Sequence, residues 1–179
     1  MSSIEYVAFR ILRLFRKLPV NILSIGSTKV VFADYFKNFE KIDAVRGIFG
    51  EKTDEVLRHL KVELILYGGY MFVDGSDGHL VINKHYLDTG DRMDIYLDLI
   101  HELYHVKQFL EGRELFDPSY DYVERPTEIE AYSYTVQEAR RLGLTDERIC
   151  SYLRTEWMSE NDLERLAKAV DVHPPSASQ

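Results

Sequence analysis

Residues 101 to 105 read His-Glu-Leu-Tyr-His. Two histidines four apart on a helix project from one face, where their imidazole nitrogens can hold one zinc ion, and Glu102 between them can reach a water on that metal. The spacing therefore points to a metal-activated hydrolysis. It does so only if the segment is helical. Asp88 or Thr89 can cap a helix start, Asp91 and Asp94 suit its first turns, and Ile95, Leu99, Leu103, Val106 and Leu110 recur at helical spacing until Gly112.

Glu102 and His105 also spell Glu-x-x-His, the motif of di-iron bundles. Such sites need that motif on two helices and a glutamate from each of two more. The chain has no second copy.

The pentad resembles that of the zincin metallopeptidases. In the longer metzincin motif a glycine and a third histidine follow, and this chain has Gln108 and Glu111 at those positions. The one later histidine, His173, precedes a tail of Pro, Ser, Ala and Gln and is a poor ligand. A glutamate from a following helix is the remaining common solution, and the run Glu128-Ile129-Glu130-Ala131 offers two.

Helical phase separates them. At about 100° per residue, Glu128 shares a stripe with Ala131, Tyr132, Thr135, Ala139 and Leu142, whereas Glu130 falls with Ser133, Tyr134, Gln137 and Arg141. Glu128 is expected to face inward and Glu130 water. Thr127 and Glu130 also fit a capping box, which would turn the Glu130 carboxylate back to the helix start. The local pattern Glu-x-Glu-Ala is similar to the second helix of the gluzincins, whose first glutamate is the zinc ligand, and this implies the same choice. The resemblance spans roughly residues 62 to 142 and implies a zincin-like fold with zinc on His101, His105 and Glu128. Larger gluzincins often carry an Asp four residues after the ligand Glu, and here that position is Tyr132. Another carboxylate or a backbone carbonyl must then orient the histidine. Asp98 is near in sequence but is expected to be solvated.

Three protein ligands leave a fourth position for water, the mark of a catalytic site. Glu102 would act as general base on that water and then hand the proton to the leaving amine. Among Tyr120, Tyr122, Tyr132 and Tyr134, Tyr132 shares the Glu128 stripe and is the expected oxyanion donor.

The elements that must position these residues are those of one α+β domain, residues 1–172, followed by a flexible tail, 173–179. With 179 residues, 45% of them hydrophobic, the chain can bury a core. Residues 62–67, 70–73 and 79–83 read as strands of a small antiparallel sheet, with Gly68-Gly69 as a turn. By the resemblance, Leu80 to Asn83 would be an edge that pairs with an extended substrate. Asp74-Gly75-Ser76-Asp77-Gly78 superficially resembles a calcium loop but lacks the later glutamate, so an ordinary turn is expected. After the Glu128 helix, Gly143 ends the run, Thr145 caps a further helix, and Ser159 with Asp162 starts another carrying Leu163, Leu166, Ala167 and Val170.

At the other end, Ile4, Val7, Ala8, Ile11, Leu14, Phe15 and Leu18 form one apolar face with Arg10, Arg13, Arg16 and Lys17 near the other, until Pro19. This basic amphipathic helix, within residues 1–20, is too short and charged to span a membrane; docking on the domain is expected, with membrane-surface or partner contact through residues 4–18 as the alternative. A net charge of −8 argues against general affinity for nucleic acid or anionic membrane. The lone Cys150 excludes an internal disulfide, is compatible with a reducing cytoplasm, and reads as a small buried apolar residue.

The sequence thus points first to a cytoplasmic zinc metallopeptidase acting on a peptide or protein. Alternatives are a zincin-like regulator that acts on or senses a repressor partner, by resemblance to small intracellular bacterial proteins, and a non-catalytic metal-binding scaffold. Glu102 argues against the scaffold, which needs no base.

Overall fold

The computed structural model describes residues 29–66 and 69–173. The amphipathic segment 4–18, most of the tail and Gly68 of the expected glycine turn lie outside them. The described residues are α+β, with a mixed four-stranded sheet and several helices, in two compact units, one ending at Arg113 and one starting at Glu114.

In the first unit, β1 (Lys29–Val31) leads through a short helix, α1 (Phe32–Tyr35), into α2 (Asp43–Phe49) and α3 (Thr53–His59). Phe32, Phe36 and Phe39 pack ring to ring between 4.8 and 5.6 Å and start a core that continues through Val45, Leu57 and Tyr96. Then come β2 (Lys61–Ile65), β3 (Met71–Val73) and β4 (Leu80–Asn83).

The sheet order is β1-β2-β4-β3, with β2 and β4 parallel and the two outer pairs antiparallel. The expected antiparallel sheet is therefore mixed, and β4, expected as an edge, is interior. The residues explain why. Leu80, Val81 and Ile82 are all buried, as a strand covered on both faces requires, whereas β3 leaves Phe72 44% exposed and fits the edge. Lys29–Val31 adds a strand that three residues are too few to announce through a period.

Asn83 caps a short helix, α4 (Lys84–Thr89), accepting from the backbone N–H groups of His85 and Tyr86. Asp88 and Thr89 are used inside it: Lys84 pairs with Asp88, and Thr89 Oγ1 donates to the His85 carbonyl. The long helix α5 (Arg92–Leu110) is capped instead by Asp91, whose Oδ1 accepts from Met93 and Asp94 at 3.0 and 3.1 Å. It ends where expected. Gly112 has φ +76°, its N–H bonds the Phe109 carbonyl at 2.9 Å, and Arg113 N–H bonds the Gln108 carbonyl at 3.0 Å. That pair of bonds is a Schellman stop, and the left-handed residue it needs is cheap only as glycine. Most of α5 is buried, and it packs on α2 and β3. Leu110, expected on the apolar stripe, is 61% exposed.

The Asp74–Gly78 segment is the ordinary turn expected. Ser76 N–H and Oγ both bond Asp74 Oδ1, and the Gly78 N–H bonds the Asp74 carbonyl.

The second unit carries a 3-10 turn at Tyr122–Glu124, then α6 (Pro126–Arg141), α7 (Asp146–Leu153) and α8 (Glu160–Ala169). Thr145 caps α7, and Ser159 with Asp162 forms a complete capping box on α8, as the sequence suggests. Leu163, Leu166, Ala167 and Val170 are buried. Arg165 of α8 bonds Glu124 at 2.6 Å and so ties that helix to the turn ahead of α6. Cys150 is half-buried rather than enclosed, and burial pushes its thiol up. No helix among the described residues is long and apolar enough to cross a membrane.

Candidate metal centre

The i, i+4 spacing on α5 puts the His101 and His105 rings side by side, centroids 4.6 Å apart and planes nearly perpendicular. Their Nε2 atoms are 3.0 Å apart. Both side chains are buried, as is that of Glu102. A buried imidazole needs partners on both nitrogens. For His105 one is clear: Nδ1 lies 2.7 Å from Gln108 Oε1, a carboxamide oxygen that can only accept, so the contact is a hydrogen bond in the tautomer with the proton on Nδ1. In that tautomer the Nε2 lone pair of His105 points at the Nε2 of His101.

That arrangement fits zinc. With metal to nitrogen distances of about 2.0 to 2.1 Å and tetrahedral angles, two ligand nitrogens sit about 3.3 Å apart, close to the separation of the two Nε2 atoms.

Glu128 and Tyr132 belong to the second unit. Pro126 opens α6, a position where its missing N–H costs nothing, and Arg125 occupies the cap. Thr127 is not a capping residue: its Oγ1 donates to the Leu115 carbonyl at 3.1 Å, so the expected capping box with Glu130 does not form. Glu128 lies in the first turn, where a carboxylate is favoured by the helix dipole, and Arg125 Nη1 approaches its Oε1 at 3.7 Å. Burial follows phase. Glu128, Ala131, Tyr132, Thr135, Ala139 and Leu142 are all buried, while Glu130, Ser133 and Tyr134 are half-buried and Gln137 and Arg141 exposed.

The Tyr132 hydroxyl lies 2.9 Å from that of Tyr122, whose ring meets Trp157 edge-on at 4.8 Å. Tyr120 is 46% exposed. His173 is exposed, with its backbone N–H on Asp146.

Two groups beside α5 differ from expectation or were not anticipated. Asp98 is half-buried rather than solvated, and Tyr86 donates its phenol proton to Asp98 Oδ2. Gln108, which in the sequence only marked a departure from the metzincin glycine, is fully buried against His105. Its signal was its position three residues on, the other helical neighbour spacing.

A second cluster, Asp74, Asp77 and His79, also gathers ligand atoms. Lys29 Nζ already occupies its polar contacts, 2.8 Å from Asp77 Oδ2 and 3.1 Å from His79 Nδ1, and His79 Nε2 lies 3.1 Å from Glu63 Oε2. Lys29 first and then His79 hold the Asp77 carboxyl well below the usual carboxylate range. A groove of about 700 Å³ in the first unit runs along the end of α5, lined by Val56, Leu60, Val106, Phe109 and Leu110; the histidine pair does not line it.

No family model, curated protein or solved structure matches this chain.

Proposed function

We propose that this protein is a zinc-dependent peptidase with a zincin-like, gluzincin-type site in which His101, His105 and Glu128 hold the ion. The observation that carries the reading is the Nε2 pair of His101 and His105, 3.0 Å apart on a buried helix face, with Gln108 Oε1 2.7 Å from His105 Nδ1 behind it. Two imidazole nitrogens presented to one point suit a borderline-soft divalent cation better than any role in packing. Glu128 completes the set as a buried carboxylate in the first turn of α6, on the phase expected of an inward ligand. When bound, zinc supplies Lewis acidity at the scissile carbonyl and lowers the pKa of water towards about 7.

The chain's own groups supply the rest. Glu102, buried on the same helix between the two ligands, takes the proton of the attacking water and returns it to the leaving amine, so that no net proton is consumed. Tyr132 is the donor for the developing oxyanion when the Tyr122 hydroxyl, 2.9 Å away, donates to it in turn. Because β4 is interior, an extended peptide pairing with the sheet on that side would meet β3.

The test is metal analysis of the purified protein followed by profiling on a peptide library. About one zinc per chain and hydrolysis abolished by chelation are expected. Protein that neither carries zinc nor takes it up would overturn the reading.

A further inference from the structure

We infer that Gln108 is a positioning residue that sets the tautomer and ring orientation of His105; the inference rests on the metal-site reading above. Three observations converge on it. The Gln108 side chain is wholly buried, its Oε1 lies 2.7 Å from His105 Nδ1, and its backbone carbonyl accepts the Arg113 N–H in the turn that closes α5.

The chemistry follows from the donor inventory. A neutral imidazole has one N–H and one lone pair, and which nitrogen binds a metal is decided by what the other nitrogen meets. The carboxamide oxygen accepts but cannot donate, so it holds the proton on Nδ1 and leaves the Nε2 lone pair facing the Nε2 of His101. Burial and the Schellman bonds restrict the Gln108 backbone and side chain, so the acceptor is present before any metal arrives. The brace is local: a residue one turn on in the same helix supplies it, in place of a carboxylate from another element. Being neutral, it orients the imidazole without adding a buried negative charge beside the ligands.

Gln108→Met keeps the length and burial of the side chain and removes the acceptor, and Gln108→Glu restores one. Zinc affinity is measured for each by competition with a chelator, and the His105 tautomer is read in the metal-free proteins, at mildly alkaline pH, by long-range nitrogen–proton NMR. The unmodified protein should show His105 protonated at Nδ1. Gln108→Met should lose Nδ1 protonation and bind zinc about 10- to 100-fold more weakly, and Gln108→Glu should recover both. A His105 protonated at Nε2 in the unmodified protein overturns the inference without any variant, as does Gln108→Met with unchanged tautomer and affinity. If the unmodified protein takes no zinc, the metal reading fails instead, and the tautomer still decides what Gln108 does.

Discussion

Tyr86 donates its phenol proton to Asp98 Oδ2 across 2.5 Å, joining the short helix after the sheet to the second turn of the helix that bears the histidine pair. Removing one partner of a hydrogen bond to a charged group costs about 1.5 to 3 kcal/mol, so Tyr86→Phe should lower stability by that order while leaving the fold intact. Urea denaturation of the two proteins checks it.

The same bond has a pH signature. Burial first, and then Asp98, push the Tyr86 phenol well above its ordinary value, and burial with Asp88 pushes Tyr35 up to about 12. Unfolded tyrosines ionise near pH 10, so above that pH the folded state holds more protons than the unfolded one. The contribution is complete below about pH 10 and is lost as the pH rises through the folded-state values. Denaturation midpoints should therefore fall from about pH 10 to about pH 12, less steeply in Tyr86→Phe. A flat profile would remove the phenols from the account.

Gly78 has φ +75°, and a Cβ there would run into the Phe109 ring. Strain and overlap act together. Gly78→Ala should cost at least about 1 kcal/mol, from the left-handed backbone alone, and more if the ring must move off its site on α5. An unchanged thermal midpoint would show that the turn adapts.

Glu102→Gln separates ligand from base. An amide cannot accept the proton of the attacking water, so hydrolysis should fall by about 10²- to 10⁴-fold with zinc content unchanged. Loss of zinc in this variant would make Glu102 structural.

Glu128 and Glu130 are told apart by the same logic. Glu128→Gln removes a charged oxygen from the proposed ligand set and should weaken zinc binding strongly, whereas Glu130→Gln, on the less buried side of α6, should bind nearly as the unmodified protein does. Titration against a chelator compares them, and equal affinity for Glu128→Gln and the unmodified protein would reject Glu128.

Local rules made several features legible in the chain. The helix around His101 and His105, its stop at Gly112, the buried stripe through Glu128 and the caps at Thr145 and Ser159 all depend on residues within a turn or two of one another. Helical period and capping chemistry are short-range, so one sequence window contains their causes. Other features were settled only by tertiary structure. A strand's pattern tells which faces are covered but not which neighbour it pairs with, and so β4 became interior and the sheet mixed. Asp88, Thr89 and Asp91 compete for one cap, and the choice fell to Asp91 because the first two are spent in a separate short helix. Thr127 turned to the Leu115 carbonyl, Asp98 to Tyr86, and Gln108 to His105. Each of these polar groups had more than one possible partner within reach of the chain, and the tertiary packing brought these ones together.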